Sequence, residues 1–163
     1  MNQVKESLSP ELNREQVFQS GEGTGKSGSF FFFSHDRRFI IKTMTGSELT
    51  TFLRIQNAYL NHLNENPNSL LVKIFGVFTL YPQGMGKVHV MLMENTLQIA
   101  DAKRLKYTFD LKGSKTGRIT TGRIKPSTVQ KDLNFLKQSS QITVRTNELM
   151  LRRVIARDAH FLA

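Results

Sequence analysis

The sequence predicts an α+β fold, an antiparallel sheet with flanking helices. Three observations carry this. Short runs rich in Phe, Ile and Val recur around turn residues, one long stretch among them has apolar residues at helical spacing, and two further helical patterns close the chain. With 39% hydrophobic residues and 12 Phe among 163 positions, the composition suits a folded domain and not a disordered one. The length suffices for one sizeable core, or for one lobe of something larger.

Taken in order, the first element is a short helix in "SPELNREQVFQ", with Ser9 at the N-cap and Pro10 at the first helical position. After the glycine-rich residues 21–28 come two strands, "SFFFFS" and "RRFIIKTM", joined by the turn "HDRR" into a hairpin. "SELTTFLRIQNAYLNHLN" then places Leu49, Phe52, Leu53, Tyr59, Leu60 and Leu63 at helical spacing behind a Ser47 cap, and Asn66-Pro67 stops the helix. "LLVKIFGVFTL" and "KVHVMLMEN" read as strands separated by the turn signals of "YPQGMG". A fifth strand, "KYTFDLKG", leads into a basic stretch rich in Gly and Thr. A short helix around "VQKDLNFLK" follows, and then a longer one in which Leu151, Val154, Ile155, Ala159 and Leu162 share a face. That pattern meets no glycine, proline or polar cap before Ala163, so the chain is expected to be cut within a domain. Residues 1–20 are then an amino-terminal extension and 21–163 a partial domain.

Several classes of function are excluded or disfavoured. Without cysteine there is neither a disulfide frame nor a thiolate metal site. His35, His62, His89 and His160 are scattered and bring no partner at metal spacing, so each is expected at or near the surface. The polar "MNQVKESLSPELNREQ" does not resemble a signal peptide, and no apolar run approaches the roughly 20 residues needed to span a bilayer. A cytoplasmic chain is expected. Its net charge of +10 asks for an anionic partner, and the charge is concentrated: six Lys or Arg and no acid occur from Leu111 to Lys131.

"GEGTGKSG" carries two competing phosphate motifs. A Walker A loop needs a glycine where Ser20 stands, and a helix where "FFFFS" reads as a strand. The pattern G-x-G-x-x-G with a strand on its exit side fits Gly23, Gly25 and Gly28, as in kinases. A flexible linker explains the glycines equally well. Lys42 lies 14 residues after Gly28, far enough for one hairpin to return its ammonium toward that loop, and it interrupts the apolar run Phe39-Ile40-Ile41. Alone it also reads as an exposed strand lysine. Glycine loop, lysine strand, helix with an early glutamate and two more strands is the element order of a kinase amino-terminal lobe.

"GKSGSFFFFS", "RFIIKT", "NHLNENPNSLL", "FDLKGS" and "KDLNFL", in this order, resemble the phosphatidylinositol phosphate kinases from about Gly25 to Ala163. "DLKGS" at residues 110–114 is the most diagnostic element, and the closing "RDAHFLA" is similar to the segment upstream of that family's "MDYSLL" catalytic motif. The resemblance implies a kinase-like amino-terminal lobe plus the start of the carboxy-terminal lobe. It implies ATP and Mg2+ as cofactors and phosphorylation of a phosphoinositide headgroup, phosphatidylinositol 4-phosphate to the 4,5-bisphosphate. Gly25, Ser27, Gly28 and Ser29 would form the nucleotide loop, Lys42 would contact ATP phosphates, and Met93, Glu94 and Asn95 would line the hinge beside adenine. Lys112 would be a second phosphate-facing lysine, and Glu48 a partner for Lys42, though only six residues away. As an alternative, Glu48 simply suits the positive end of its helix.

The acceptor-side aspartate and the metal carboxylate are expected beyond Ala163, so this chain alone is expected to be inactive. Arg157-Asp158 imitates the Arg-Asp of a kinase catalytic loop, but Ala156 stands in place of the histidine, and Asp158 reads as a solvated helix residue. Lys115, Arg118, Arg123 and Lys125 are the candidates for an anionic membrane surface, with the chain peripheral on that membrane. The alternative to a kinase is a non-catalytic module that binds anionic membranes or a complete kinase, and a dimer is left open. Nucleic acid is disfavoured because the aromatic strand carries no Lys or Arg.

Overall fold

A computed structural model describes residues 2–14, 29–98, 105–125, 128–138 and 147–163. They form two compact units, Met1–Gln98 with Leu151–Ala163, and Ile99–Met150.

The first unit is built on a four-stranded antiparallel sheet. β1 (Phe31–Phe33) and β2 (Phe39–Met44) form the expected hairpin; β3 (Ile74–Leu80) and β4 (Val88–Glu94) complete the order β1-β2-β4-β3. β2 lies inside the sheet, with Lys42 opposite Phe31 on one side and Met91 on the other. The β1–β2 turn is closed by short polar side chains. Ser34 N donates to Phe39 O at 3.0 Å, Ser34 Oγ donates to Asp36 Oδ1 at 2.7 Å, and Arg37 takes a positive φ of 57°. Asn95, just after β4, fixes the same turn: its backbone N–H donates to Arg38 O and its side-chain amide to Arg37 O.

Ahead of the sheet come α1 (Asn2–Ser7) and α2 (Pro10–Asn13). Ser9 does not cap α2 as expected, since its hydroxyl donates to Glu11 Oε2. Asn13 and Ser7 tie the segment down: Asn13 accepts from His35 N at 2.8 Å and donates to Ser7 O at 2.9 Å, and Ser7 Oγ donates to Asp36 Oδ2 at 2.5 Å.

α3 (Gly46–Glu65) begins two residues earlier than the sequence suggested. Its N-cap is Thr45 and not Ser47: Thr45 Oγ1 accepts from Glu48 N at 3.2 Å and Glu48 Oε2 accepts from Thr45 N at 2.7 Å, a reciprocal capping box. Asn66 ends the helix as predicted. Tyr59, buried on α3, donates to Val72 O at 2.7 Å and accepts from Ile74 N at 2.8 Å, so one hydroxyl fastens the helix to the start of β3. Within β3 the register shifts between Ile74 and Gly76, where a Cβ on Gly76 would meet the Phe78 ring at 2.9 Å.

α5 (Glu148–Leu162) turns a different face inward from the one its apolar pattern suggested. Val154 and Asp158 are buried, and Leu151 and Phe161 partly so, while Ile155 and Leu162 are exposed. The inward stripe is therefore apolar, apolar, carboxylate, aromatic. Pure apolar periodicity passes over the carboxylate.

In the second unit the fifth strand is β5 (Thr108–Asp110). It pairs in parallel with β6 (Val129–Lys131), whose residues had been assigned to a helix, and α4 (Asp132–Gln138) follows directly. Phe109 meets Phe135 edge-on at 5.4 Å.

The two candidate caps of α3 are separable by mutation. Thr45→Ala is expected to lower stability by roughly 1 kcal/mol, and Ser47→Ala to stay within about 0.5 kcal/mol, in urea unfolding of the chain.

Candidate functional site

The β2 strand carries an ammonium into an apolar sheet, and α3 supplies its counter-charge. Lys42 Nζ lies 2.9 Å from Glu48 Oε1, with the two side chains 24% and 39% exposed, so the pair is reachable by a ligand. The capping box that starts α3 also aims Glu48: one carboxylate oxygen holds Thr45 N, the other Lys42 Nζ. The Thr45 N–H first, then Lys42, hold the Glu48 carboxyl below the usual range, which keeps it ionised as an acceptor. Both residues rim a cavity of about 340 Å³ also lined by Met44, Ser47, Phe52 and Met91. An ammonium has three N–H donors, and one directed at Glu48 leaves capacity for anionic oxygens in that cavity.

Of the other expected nucleotide residues, Gly25, Ser27 and Gly28 lie outside the described residues. Ser29 is buried just before β1. Met93 and Glu94 lie on β4 opposite Ile40 and Phe39, and the Asn95 side chain is engaged with the β1–β2 turn.

The second unit holds the charged cluster of "DLKGS". Asp132, at the start of α4, accepts from Lys112 N and Gly113 N at 2.9 Å each and from Arg118 Nε at 2.8 Å. Burial raises the Asp132 carboxyl, but the Arg118 guanidinium and these N–H groups outweigh it and hold it at about 2. Arg118 also pairs with Asp110 Oδ2 at 3.1 Å and donates to Asp110 O. Lys112, 62% exposed, lies 3.1 Å from Asp110 Oδ1. The acid-free stretch is thus bracketed by two acids, one residue before it and one after. Arg118, grouped by sequence with the membrane-facing cations, is only 13% exposed and held between both carboxylates. Its charge is required inside, where an unpaired Asp132 would be costly. Lys115, Arg123 and Lys125 remain exposed.

A third cluster was not anticipated. Asp158 on α5 is buried, accepting from Ser69 Oγ and Leu70 N at 2.7 Å each, with His62 Nε2 also at 2.7 Å. Burial raises this carboxyl, but the hydrogen bonds from His62, Ser69 and Leu70 prevail and lower it. Asp158 is structural, yet not solvated as expected, and His62 is half-buried against it and stacks on Phe161 at 4.6 Å. The signal available in the sequence was an acid within an otherwise apolar helical stripe. Among the described residues, no group of three or more His, Cys, Asp or Glu is placed to hold a metal ion.

An antiparallel sheet, one long helix and a lysine–glutamate pair between them constitute a kinase-like amino-terminal lobe. This chain belongs to the phosphatidylinositol-4-phosphate 5-kinase family, whose model matches residues 12–163. It is 37% identical over 141 residues to phosphatidylinositol 4-phosphate 5-kinase 1 of Arabidopsis thaliana, covering 85% of this chain and 18% of that one. A probable phosphatidylinositol phosphate kinase of Dictyostelium discoideum is 37% identical over 132 residues, covering 80% of this chain and 18% of that one. Phosphatidylinositol 4-phosphate 5-kinase type-1 beta of Mus musculus is 37% identical over 115 residues, covering 69% of this chain and 21% of that one. The chain therefore spans about a fifth of the length of these relatives.

The Asp132 cluster sets an acid limit for the second unit. A carboxyl lowered on folding stabilises above its unfolded value, near 3.8, and that contribution is lost as pH falls through about 2. The Gly113 amide signal should leave its folded position between about pH 4 and pH 2. In Asp132→Asn it should already be shifted at neutral pH, with no further step in that window.

Proposed function

We propose that this chain forms the nucleotide-binding part of an ATP-dependent lipid kinase that phosphorylates a phosphoinositide headgroup, phosphatidylinositol 4-phosphate to the 4,5-bisphosphate. The observation that carries the reading is the Lys42–Glu48 pair, 2.9 Å apart and facing a cavity of about 340 Å³. Lys42 would hold ATP phosphate oxygens while Glu48 fixes the direction of the ammonium, and such positioning of charge is most of what the protein supplies in phosphoryl transfer. Gly25, Ser27, Gly28 and Ser29 would close over the phosphates, Met93, Glu94 and Asn95 would border adenine, and Lys112 would face phosphate. ATP supplies the transferred phosphoryl group. Magnesium enters no step assigned to these residues. Nucleotide binding is the part of the reaction assigned to these residues.

Lys42→Met tests this. ATP affinity of the 163-residue chain, measured by calorimetry, should fall roughly tenfold or more, as expected when a charge-assisted hydrogen bond is removed. Stability should stay within about 1 kcal/mol, because the apolar stem is kept. Equal affinity in the mutant would remove Lys42 from the site.

A second reading, docking on an anionic membrane surface at the periphery of the bilayer, is favoured by the exposed Lys115, Arg123 and Lys125. Each basic residue near an anionic leaflet contributes about 1 kcal/mol, enough together for reversible docking. The chain should sediment with phosphatidylserine vesicles at about 0.1 M salt and be released toward 1 M, where the Debye length is roughly 3 Å. Replacing these three by Ser, with Arg118 kept, should abolish sedimentation. Undiminished sedimentation of the triple mutant would make the stretch a solubility loop.

A further inference from the structure

Resting on the nucleotide reading above, we propose that Asp158 is a positioning residue for the Lys42–Glu48 pair and acts on it through α3. Among the described residues, side-chain hydrogen bonds attach the helix to its surroundings toward its two ends. At its start, Glu48 reaches Lys42 through a part-exposed contact. Near its end, the attachments are less exposed: Tyr59 bonds both Val72 O and Ile74 N, and His62 bonds Asp158 with side chains 10% and 8% exposed.

Asp158 joins three pieces of chain at a single carboxylate, beside an exposed contact from Arg157 Nη1 to Asn66 Oδ1 at 3.4 Å. Its Oδ1 takes His62 of α3 and Ser69 of the loop after it, its Oδ2 takes Leu70 N two residues before Val72, and its own helix adds Phe161 against the His62 ring. With the carboxylate ionised and acceptor-only, the His62 Nε2 facing it carries the proton. Every polar contact of Asp158 thus fixes either α3 or the segment leading from α3 into β3. The outer face of α3 offers no such restraint, since Leu53 and Leu60 are about half exposed.

The rigid rod between the two attachments converts an error at one into a displacement at the other. His62 and Glu48 are 14 residues apart, about 21 Å along a helix. A tilt about the Tyr59 anchor that opens the His62–Asp158 contact swings Glu48 the opposite way, off Lys42. An ammonium that loses its carboxylate partner is free to take other rotamers, and its fit to phosphate falls.

The test compares Asp158→Asn, Ser69→Ala and Glu48→Gln in the 163-residue chain, with the Glu48 carboxyl carbon followed by NMR through a pH titration. Folding of each variant is checked by amide dispersion. Asp158→Asn should move the Glu48 titration up toward the ordinary glutamate range, only partly because Thr45 N travels with the helix, and Ser69→Ala should move it less. ATP affinity should fall roughly fivefold or more in Asp158→Asn, and Asp158→Asn with Glu48→Gln should bind no more weakly than Glu48→Gln alone, the non-additivity of two residues acting as one unit. Should Asp158→Asn fail to fold, Ser69→Ala and His62→Gln report the same quantities. An unmoved Glu48 titration in a folded variant, or additive losses, overturns the proposal. A parent chain that does not bind ATP, with Glu48 still responding to Asp158, overturns the nucleotide reading and leaves the positioning intact.

Discussion

A lysine ammonium on an inner strand of an apolar sheet must meet an anion, and here α3 brings one. Burying a charge without a partner costs several kcal/mol, so Lys42 constrains where the carboxylate can be and with it the helix that bears it. The reciprocal bond between Thr45 and Glu48 satisfies an end of α3 that would otherwise leave N–H groups orphaned, and leaves one carboxylate oxygen for Lys42. Only six residues are needed between Lys42 and Glu48 because the helix starts at once: Met44 ends β2, Thr45 caps, and Glu48 is in the first turn.

The second unit solves the same problem with the signs exchanged. There the buried group is a carboxylate, Asp132, and the chain around it is basic. Arg118 and two backbone N–H groups converge on it, so part of the net charge of +10 is structural. Gly113 and Gly117 sit at φ of 66° and 64°, a left-handed backbone that lets the segment fold back toward α4 at little steric cost. What stays outward, Lys115, Arg123 and Lys125, is the charge left for an external anion.

Much of the first unit was legible in the sequence. The β1–β2 hairpin, α3, β3 and β4 follow from apolar period and turn residues, and the α+β class from their order. The family was legible in short motifs, "DLKGS" above all. Side-chain partnerships that join distant segments were not. Ser47 and Thr45 are both acceptable caps by type, and only the bond from Thr45 N to Glu48 decides between them. β6 was hidden because three residues before a helix carry too short a pattern, and its partner β5 lies about twenty residues earlier. Arg118 looked like any other member of a basic run, since nothing local shows that Asp132 faces it. Asp158 was passed over because an acid in a helical stripe is usually solvated, and its donors lie nearly ninety or more residues away.

The proposed contact between Lys42 and nucleotide phosphate is read directly by an acyl-phosphate derivative of ATP, because it acylates the lysine beside its phosphates. With the intact 163-residue chain and peptide mass spectrometry, the expected result is acylation of Lys42, suppressed by excess ATP and by Glu48→Gln. Lysines on the same unit such as Lys73 and Lys87 should show only slow labelling that ATP does not suppress. Uniform labelling of all three, or no ATP-protected label on Lys42, would contradict the account.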